Sequence, residues 1–459
     1  GRMRGRVVAA IAGALVVGAG MVVGGAPPAT AATAEVTIAD NTFGPDVVRI
    51  APGDTVRWTA TRAGHTVTAE DGRFNFHPGR TLDAGEQVTW TAAATEEFVP
   101  YYCRIHAGMK GLIQVGDPPV DPLPPGPTVI VPDQSPTIAA AAAGAEPGTE
   151  ILIRPGVYRD EAVTVATAGL TLRGLGVRPD DVVLRGGGGV PAGITITAPN
   201  IRVANLTITG FGRAGIVVDG ASGAVIANAT LDGNGLYGID ARRPTGLTLR
   251  ALRVHGHGVA GISGRDCAAC GLQVDGVFAA GNAAGVVVAD ASGVVVRGSR
   301  LQGNAVGVVL RDAAGVRVTG NTVLDNAATN VWVASVFDGS EPPVGAGVWI
   351  RGGRANRVAA NTIGGHTYNV AVTGPTPAVG HRVEDNAVGA AVFADLGWDG
   401  IGAGVCFGGN KGSSGEPSSD PPLAQTLYRC SALATAAGLP YPLVLTNLAT
   451  HARAAGYPL

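Results

Sequence analysis

Lysine is almost missing from this sequence: of 459 residues only Lys110 and Lys411 are lysine, and charged residues of all kinds make up 15%. A formal net charge of −2 argues against a nucleic-acid binder, which would need a basic face. No lysine lies between residues 151 and 392, which removes one common catalytic base from the longest part of the chain. Long apolar runs are scarce as well. Only Val7–Val23 approaches the length of a membrane span, and Gly13, Gly18 and Gly20 weaken it as an anchor. Arg4 and Arg6 precede that run, and Ala29–Ala31 and Ala32–Ala34 follow it as small-residue cleavage sites. Residues 1–34 are therefore expected to be an export signal that leaves no stable membrane span once removed, with the mature chain secreted or held in a periplasmic-type, extracytoplasmic space. Glycine, by contrast, is abundant at 71 residues, but without the three-residue period of a collagen.

Cysteine is limited to five residues, and an exported chain would meet an oxidising compartment. An odd number leaves one over. If Cys103 holds a metal, Cys267, Cys270, Cys406 and Cys430 close two bridges. Cys267 and Cys270 would form a local one at a turn. Cys406 and Cys430 flank a Gly/Ser/Pro-rich loop and would tie down a C-terminal cap over residues 399–459.

Residues 35–116 read as short β segments separated by turn signals, the spacing of an all-β sandwich. A proline-rich spacer occupies 117–127. From 128 to 398 the chain repeats itself. Gly215, Gly238, Gly261, Gly285 and Gly307 open successive copies at spacings of 23, 23, 24 and 22 residues. Each copy carries three apolar triplets, such as those starting at Gly215, Ala224 and Ala229. Three short strands and three turns per copy make one coil of a right-handed parallel β-helix, about nine to ten coils between Ile151 and Val392. Asn234, Asn282, Asn304 and Asn326 recur ahead of the copy-starting glycine, with Asn205, Asn228, Asn321, Asn361 and Asn386 as a second set. His257 and His366 fall in the same register, so their expected role is a polar rung between stacked turns. The opening segment Ala145–Tyr158, with its Pro-Gly-x-Tyr ending, resembles the first coil of pectate-lyase-like β-helix proteins. That resemblance, from about Ile138 to Val392, implies a fold and not an activity.

The densest chemistry lies in Tyr101–Gly111. Cys103 is followed three residues on by His106 and three further by Met109, in a loop between two β segments, and His65 stands upstream. A thiolate, two imidazoles and a weak thioether suit a metal that must be stable as both Cu(I) and Cu(II). Zinc would favour a stronger fourth ligand than methionine. Met109 is the one methionine downstream of the apolar N-terminal run. Residues 35–115 resemble a single-domain cupredoxin of the plastocyanin–azurin family, with the short ligand loop of amicyanin-type members. The resemblance implies a Greek-key β-sandwich and one type 1 copper site ligated by His65, Cys103, His106 and Met109. It also implies a redox partner protein. The stretch Trp58–Gly64 contains no asparagine that would order the cysteine sulfur, which leaves the potential open, and His77 is expected to be a loop residue and not a ligand.

The leading functional expectation is an exported one-electron copper protein, not itself an enzyme, whose β-helix binds a partner or a polysaccharide. One alternative is a carbohydrate-active β-helix enzyme of lyase, hydrolase or epimerase type with an accessory copper module. Another is a copper delivery or maturation factor. Asp266, Asp290 and Asp312 share one register and could line a calcium or glycan face, though a turn role accepting backbone N–H groups is the plainer reading. Phe337, Asp338 and Glu341 lie in Ala334–Gly347, which breaks the period and could line a binding face, a simple tolerated insertion being the equal alternative.

Overall fold

The computed structural model describes residues 31–430 apart from 70–72, 93–96, 107–108, 116–126, 177, 327–344, 375, 421 and 423. The N-terminal block folds as two four-stranded sheets. One is ordered Thr42–Gly44, Thr33–Ala39, Thr55–Ala60, Gln87–Thr91; the other Val47–Ile50, Lys110–Val115, Glu97–Tyr102, Thr68–Ala69. Alternation decides which face is buried: in Thr55–Ala60, Val56, Trp58 and Ala60 point inward while Thr55, Arg57 and Thr59 do not. Val36, Ile38 and Trp58 of the first sheet share one core with Val99, Tyr101 and Ile113 of the second. Trp58 and Tyr101 meet edge to face at 5.2 Å.

The remainder is a parallel solenoid. Its longest sheet has eleven strands, from Val163–Val165 to Ser419–Asp420, and two further parallel ladders close each coil. Ile194, Ile216, Ile239, Ile262, Val286 and Val308 lie in one column facing inward, all fully buried. Each such side chain contributes about 1.5–3 kcal/mol on burial. The copy-opening glycines have a packing reason. A Cβ on Gly307 would stand 2.4 Å from the carbonyl oxygen of Gly347 in the next coil, and one on Gly238 would stand 2.5 Å from that of Gly261. The coils approach too closely there for any side chain.

Polar ladders hold the turns together. Asn234, His257, Asn282, Asn304, Asn326 and His366 form a continuous buried stack, each side chain bonded to the next in consecutive coils where the bond is from 2.8 to 3.3 Å. A second runs through Asn321, Asn361, Asn386, Asn410 and Gln425. The two histidines are rungs, as their register requires. The left-handed residue of the first stack is the one preceding each rung, Gly233, Gly256, Gly281, Gly303, Asp325 and Gly365, and not the asparagine itself. Asn205 and Asn228, which do adopt positive φ, bond to each other in a separate turn.

Two features differ from the sequence reading. Ile138–Gly144 is a short helix, N-capped by Thr137, whose Ile138, Ala141 and Ala142 pack on the first coils. It covers apolar surface that the leading coil would otherwise expose. At the other end the ladder does not stop near Val392 or at 398. Cys406–Gly408, Lys411–Gly412 and Ser419–Asp420 pair in parallel with Arg382–Glu384, Ala387–Val388 and Ala394–Trp398. The solenoid thus continues by a further coil into the region expected to be cap. Cys267 bonds to Cys270 and Cys406 to Cys430, leaving Cys103 free and buried. No helix among the described residues is long and apolar enough to cross a membrane. The expected signal segment up to residue 30, the spacer up to 126, and Phe337, Asp338 and Glu341 lie outside the described residues.

Candidate metal centre

His65 follows a left-handed Gly64 and is fixed by backbone bonding to Leu82, whose N–H donates to its carbonyl at 2.7 Å. The other residues sit on the connection between Glu97–Tyr102 and Lys110–Val115, antiparallel strands whose last pair is Tyr102 with Lys110. Inside the loop the Cys103 N–H donates to the Met109 carbonyl at 3.0 Å and the Met109 N–H to that of His106 at 3.2 Å. These bonds bring the two ends of the loop together.

One ligand atom each from His65, Cys103 and His106 lie within 4.8 Å of one another, and among the described residues these three make the group of side chains able to share a metal ion. Cys103 Sγ is 3.5 Å from His106 Nδ1. Bonds of about 2.0 Å to nitrogen and 2.3 Å to sulfur at a trigonal angle would separate those atoms by about 3.7 Å. His65 Nδ1 is buried and has no hydrogen-bond partner among the described residues. An orphaned buried nitrogen is costly unless it has a role such as ligation. Burial first, and the neighbouring His106 second, pull the His65 imidazole below its ordinary pKa, against an opposing effect of Asp40. The neutral ring this favours is the form that ligates. Met109 is buried in the same core as Cys103, whereas His106 is half-buried beside Ile105, which is 58% exposed.

Thr66 is a further candidate residue of the site that the sequence did not reveal. Its backbone N–H points to Cys103 Sγ at 3.4 Å and its hydroxyl lies 3.7 Å from the same sulfur, while the Arg104 N–H donates to that hydroxyl at 2.8 Å. Donors to a ligating sulfur tune its electron density and hold it in place. A threonine after a histidine gives no sequence signal for this, because the contact depends on how two distant segments cross. His77 instead pairs with Glu86 at 3.0 Å.

The family comparison falls on the solenoid: residues 192–371 match the model described as the right handed beta helix region. Residues 192–371 are a right-handed β-helix. Among solved structures, the A-module of the mannuronan C-5 epimerase AlgE4 from Azotobacter vinelandii is 15% identical with a TM-score of 0.45, over 60% of this chain and 89% of that one. A copper-containing nitrite reductase from Thermus scotoductus is 28% identical with a TM-score of 0.17, over 19% of this chain and 23% of that one. A pseudoazurin from Sinorhizobium is 30% identical with a TM-score of 0.16, over 19% of this chain and 76% of that one. No curated protein matches the chain.

On the β-helix, Asp266, Asp290 and Asp312 all have left-handed backbone, the first two near the ends of the strands Ala260–Cys267 and Ala284–Ala291 and the third just after Val306–Arg311. Asp290 pairs with Arg311 at 3.2 Å and Asp312 accepts a bond from Thr376 at 2.6 Å. Asp290 and Asp312 line a cleft of about 640 Å³ with Cys267 and Arg354, but among the described residues Asp266, Asp290 and Asp312 do not form a group of three able to share an ion as the N-terminal trio does. The β-helix gathers charge elsewhere. Asp240, fully buried on the long sheet, receives Arg213 and Arg242 at 2.7 and 2.8 Å and Arg265 at 3.1 Å. Arg213 also lies 5.9 Å above the Tyr237 ring. Arg242 and Arg265 are direct neighbours in the ladder, so the repeat period was the signal that would have joined them.

Proposed function

We propose that residues 33–115 bind a single copper ion and use it for one-electron transfer. The observation that carries this reading is the convergence of the buried His65 and Cys103 and the half-buried His106, with Met109 buried at the end of the same loop. Bound copper would supply a Cu(I)/Cu(II) couple. Cys103 would ligate as thiolate, His65 and His106 as neutral imidazoles, and Met109 as the weak fourth donor of this cupredoxin-like site. Thr66 and the Cys103–Met109 backbone bond would restrain the ligands so that little rearranges on redox change. The exposed Ile105 beside His106 offers an apolar approach for a redox partner at the ligand edge nearest solvent. Two disulfides support an oxidising, extracytoplasmic location. With Cys267 and Cys270 joined, the dithiol that a delivery role would draw on is oxidised. Titration of the full chain with Cu(II) should reach one equivalent with an intense blue colour. A colourless endpoint, or several weak equivalents, would sink the reading.

A second reading concerns the β-helix, as a carbohydrate-active module that takes an acidic polysaccharide. The favouring observation is the set of three guanidinium groups around Asp240, one of which, Arg265, also lies 3.7 Å from Asp266, so that three cations face two carboxylates next to Tyr237 on the long sheet. An oligouronate should bind and its neutral counterpart should not, with affinity falling as salt rises. Arg242→Gln should weaken binding on the order of ten-fold, the loss of one charge-assisted bond. Equal binding of both sugars, or of neither, would remove this reading.

A further inference from the structure

Among the described residues, a buried cation of the solenoid reaches into the N-terminal module. Arg178 belongs to the solenoid, on the excursion between Thr171–Gly174 and Val182–Arg185, and is only 2% exposed. The next coil braces this excursion at several points. Asn205 Nδ2 donates to the carbonyls of Gly174 and Gly176 at 3.0 and 2.6 Å, and the Thr207 hydroxyl donates to Asp180 at 2.8 Å. Asp181 accepts from the Arg178 N–H at 2.9 Å, closing a single 3₁₀ turn over Pro179–Asp181. Gly176 is required there, since a Cβ on it would lie 2.2 Å from that of Asp181. These bonds tie the described residues Gly174, Gly176 and 178–181 to the β-helix, and the Arg178 side chain reaches into the N-terminal module.

Its Nη2 donates to the carbonyl of Tyr101 at 3.0 Å and reaches that of Gly111 at 3.4 Å. Tyr101 and Gly111 face each other across the hairpin that carries the ligand loop. Tyr101 precedes Cys103 by two residues and Gly111 follows Met109 by two, so one guanidinium spans both strands just below the loop.

We infer that Arg178 is the positioning residue through which the β-helix holds the hairpin of the metal centre in register. A planar guanidinium can bridge two carbonyls at once, which a lysine ammonium does with less geometric constraint. Fixing the strand pair at Tyr101 and Gly111 fixes the separation of Cys103 from Met109. The β-helix is therefore part of the scaffold of the site and not only a passenger behind a spacer. This rests on the copper reading for its consequence, but not for its geometry.

The test is hydrogen–deuterium exchange on the metal-free full chain, comparing wild type with Arg178→Ala and Arg178→Gln, followed by the Cu(II) spectrum of each. Loss of a charge-assisted bond at this point should speed exchange across residues 97–115 on the order of ten-fold in Arg178→Ala, and less in Arg178→Gln, with Arg202–Thr209 unchanged. The variants should still take one copper but with a shifted charge-transfer band. Unchanged exchange in 97–115 would overturn the inference. So would faster exchange spreading through Arg202–Thr209 in both variants, which would make Arg178 a structural residue of its coil. A wild-type chain that takes no copper would sink the copper reading while leaving the exchange result to stand.

Discussion

Under the copper reading, replacing Cys103 by serine should abolish the blue charge-transfer band expected of the copper-loaded chain and should cost more affinity than the roughly 10–100-fold that loss of a supporting contact alone produces. The band requires a thiolate on Cu(II), and Cys103 is the one cysteine outside a disulfide. A serine hydroxyl in its place is a hard and weakly acidic donor, which leaves two imidazoles and a thioether to hold the ion. The fold should survive, because Cys103 is a small buried residue and serine nearly matches its volume. The Thr66 N–H and hydroxyl that now face the sulfur can face an oxygen instead. Equal far-ultraviolet circular dichroism in the two proteins is therefore part of the expected result. Tight copper binding without the band in the wild-type chain would mean that Cys103 does not ligate in an ordered site. A copper delivery role would then lead.

What could be read from the sequence followed the range of the contacts. Cys103, His106 and Met109 stand within seven residues, so their relation was visible as a spacing. Thr66 was not, since its bond to Cys103 crosses 37 residues and depends on the approach of two distant loop segments. Arg178 lies 77 residues from Tyr101, and nothing local distinguishes it from any arginine in a turn. The β-helix was legible because stacking repeats one close approach at every coil, and glycine is the price of that approach at Gly215, Gly238, Gly261, Gly285 and Gly307. The same cue explains the misplaced end. At the equivalent ladder position the later coils carry Asn369 and Asp395 in place of glycine, so the marker lapses while the strands go on pairing. The asparagine ladder did not lapse: Asn386 passes to Asn410 and Asn410 to Gln425. The helix at Ile138–Gly144 lay in an alanine run with no alternation to read.

Mild acid should destabilise the β-helix through its buried histidines. His257, His366 and His381 are each depressed to about 4, with burial as the main cause; the bonds their ring N–H groups donate to Asn282, Asn369 and the Gly352 carbonyl act in the opposite direction. In the ladder Asn234 donates to His257 Nε2 and Asn326 to His366 Nε2, so those nitrogens accept, and Nδ1–H donates to Asn282 or Asn369. A second ring proton would set donor against donor inside a buried stack. The unfolded chain protonates these rings near 6.5, the folded chain only near 4, so the unfolded state binds more protons throughout that interval. Stability is then level above about pH 6.5 and falls as the pH drops toward 4, by about 2 kcal/mol per histidine at pH 5. Carboxylates with lowered pKa, such as Glu384, act below this window. His65 and His255 are shifted in the same direction and add to the slope, so a variant is needed to isolate the ladder. His257→Asn restores the residue type that the neighbouring coils carry at this rung and removes one titrating ring. Urea unfolding of the full chain at a series of pH values from 7 to 5 should show a shallower loss of stability in the variant, with little difference between the two proteins at pH 7. A wild-type profile flat over that range would mean that protonated His257 and His366 are accommodated without breaking the stack, and the neutral ladder would have to be abandoned.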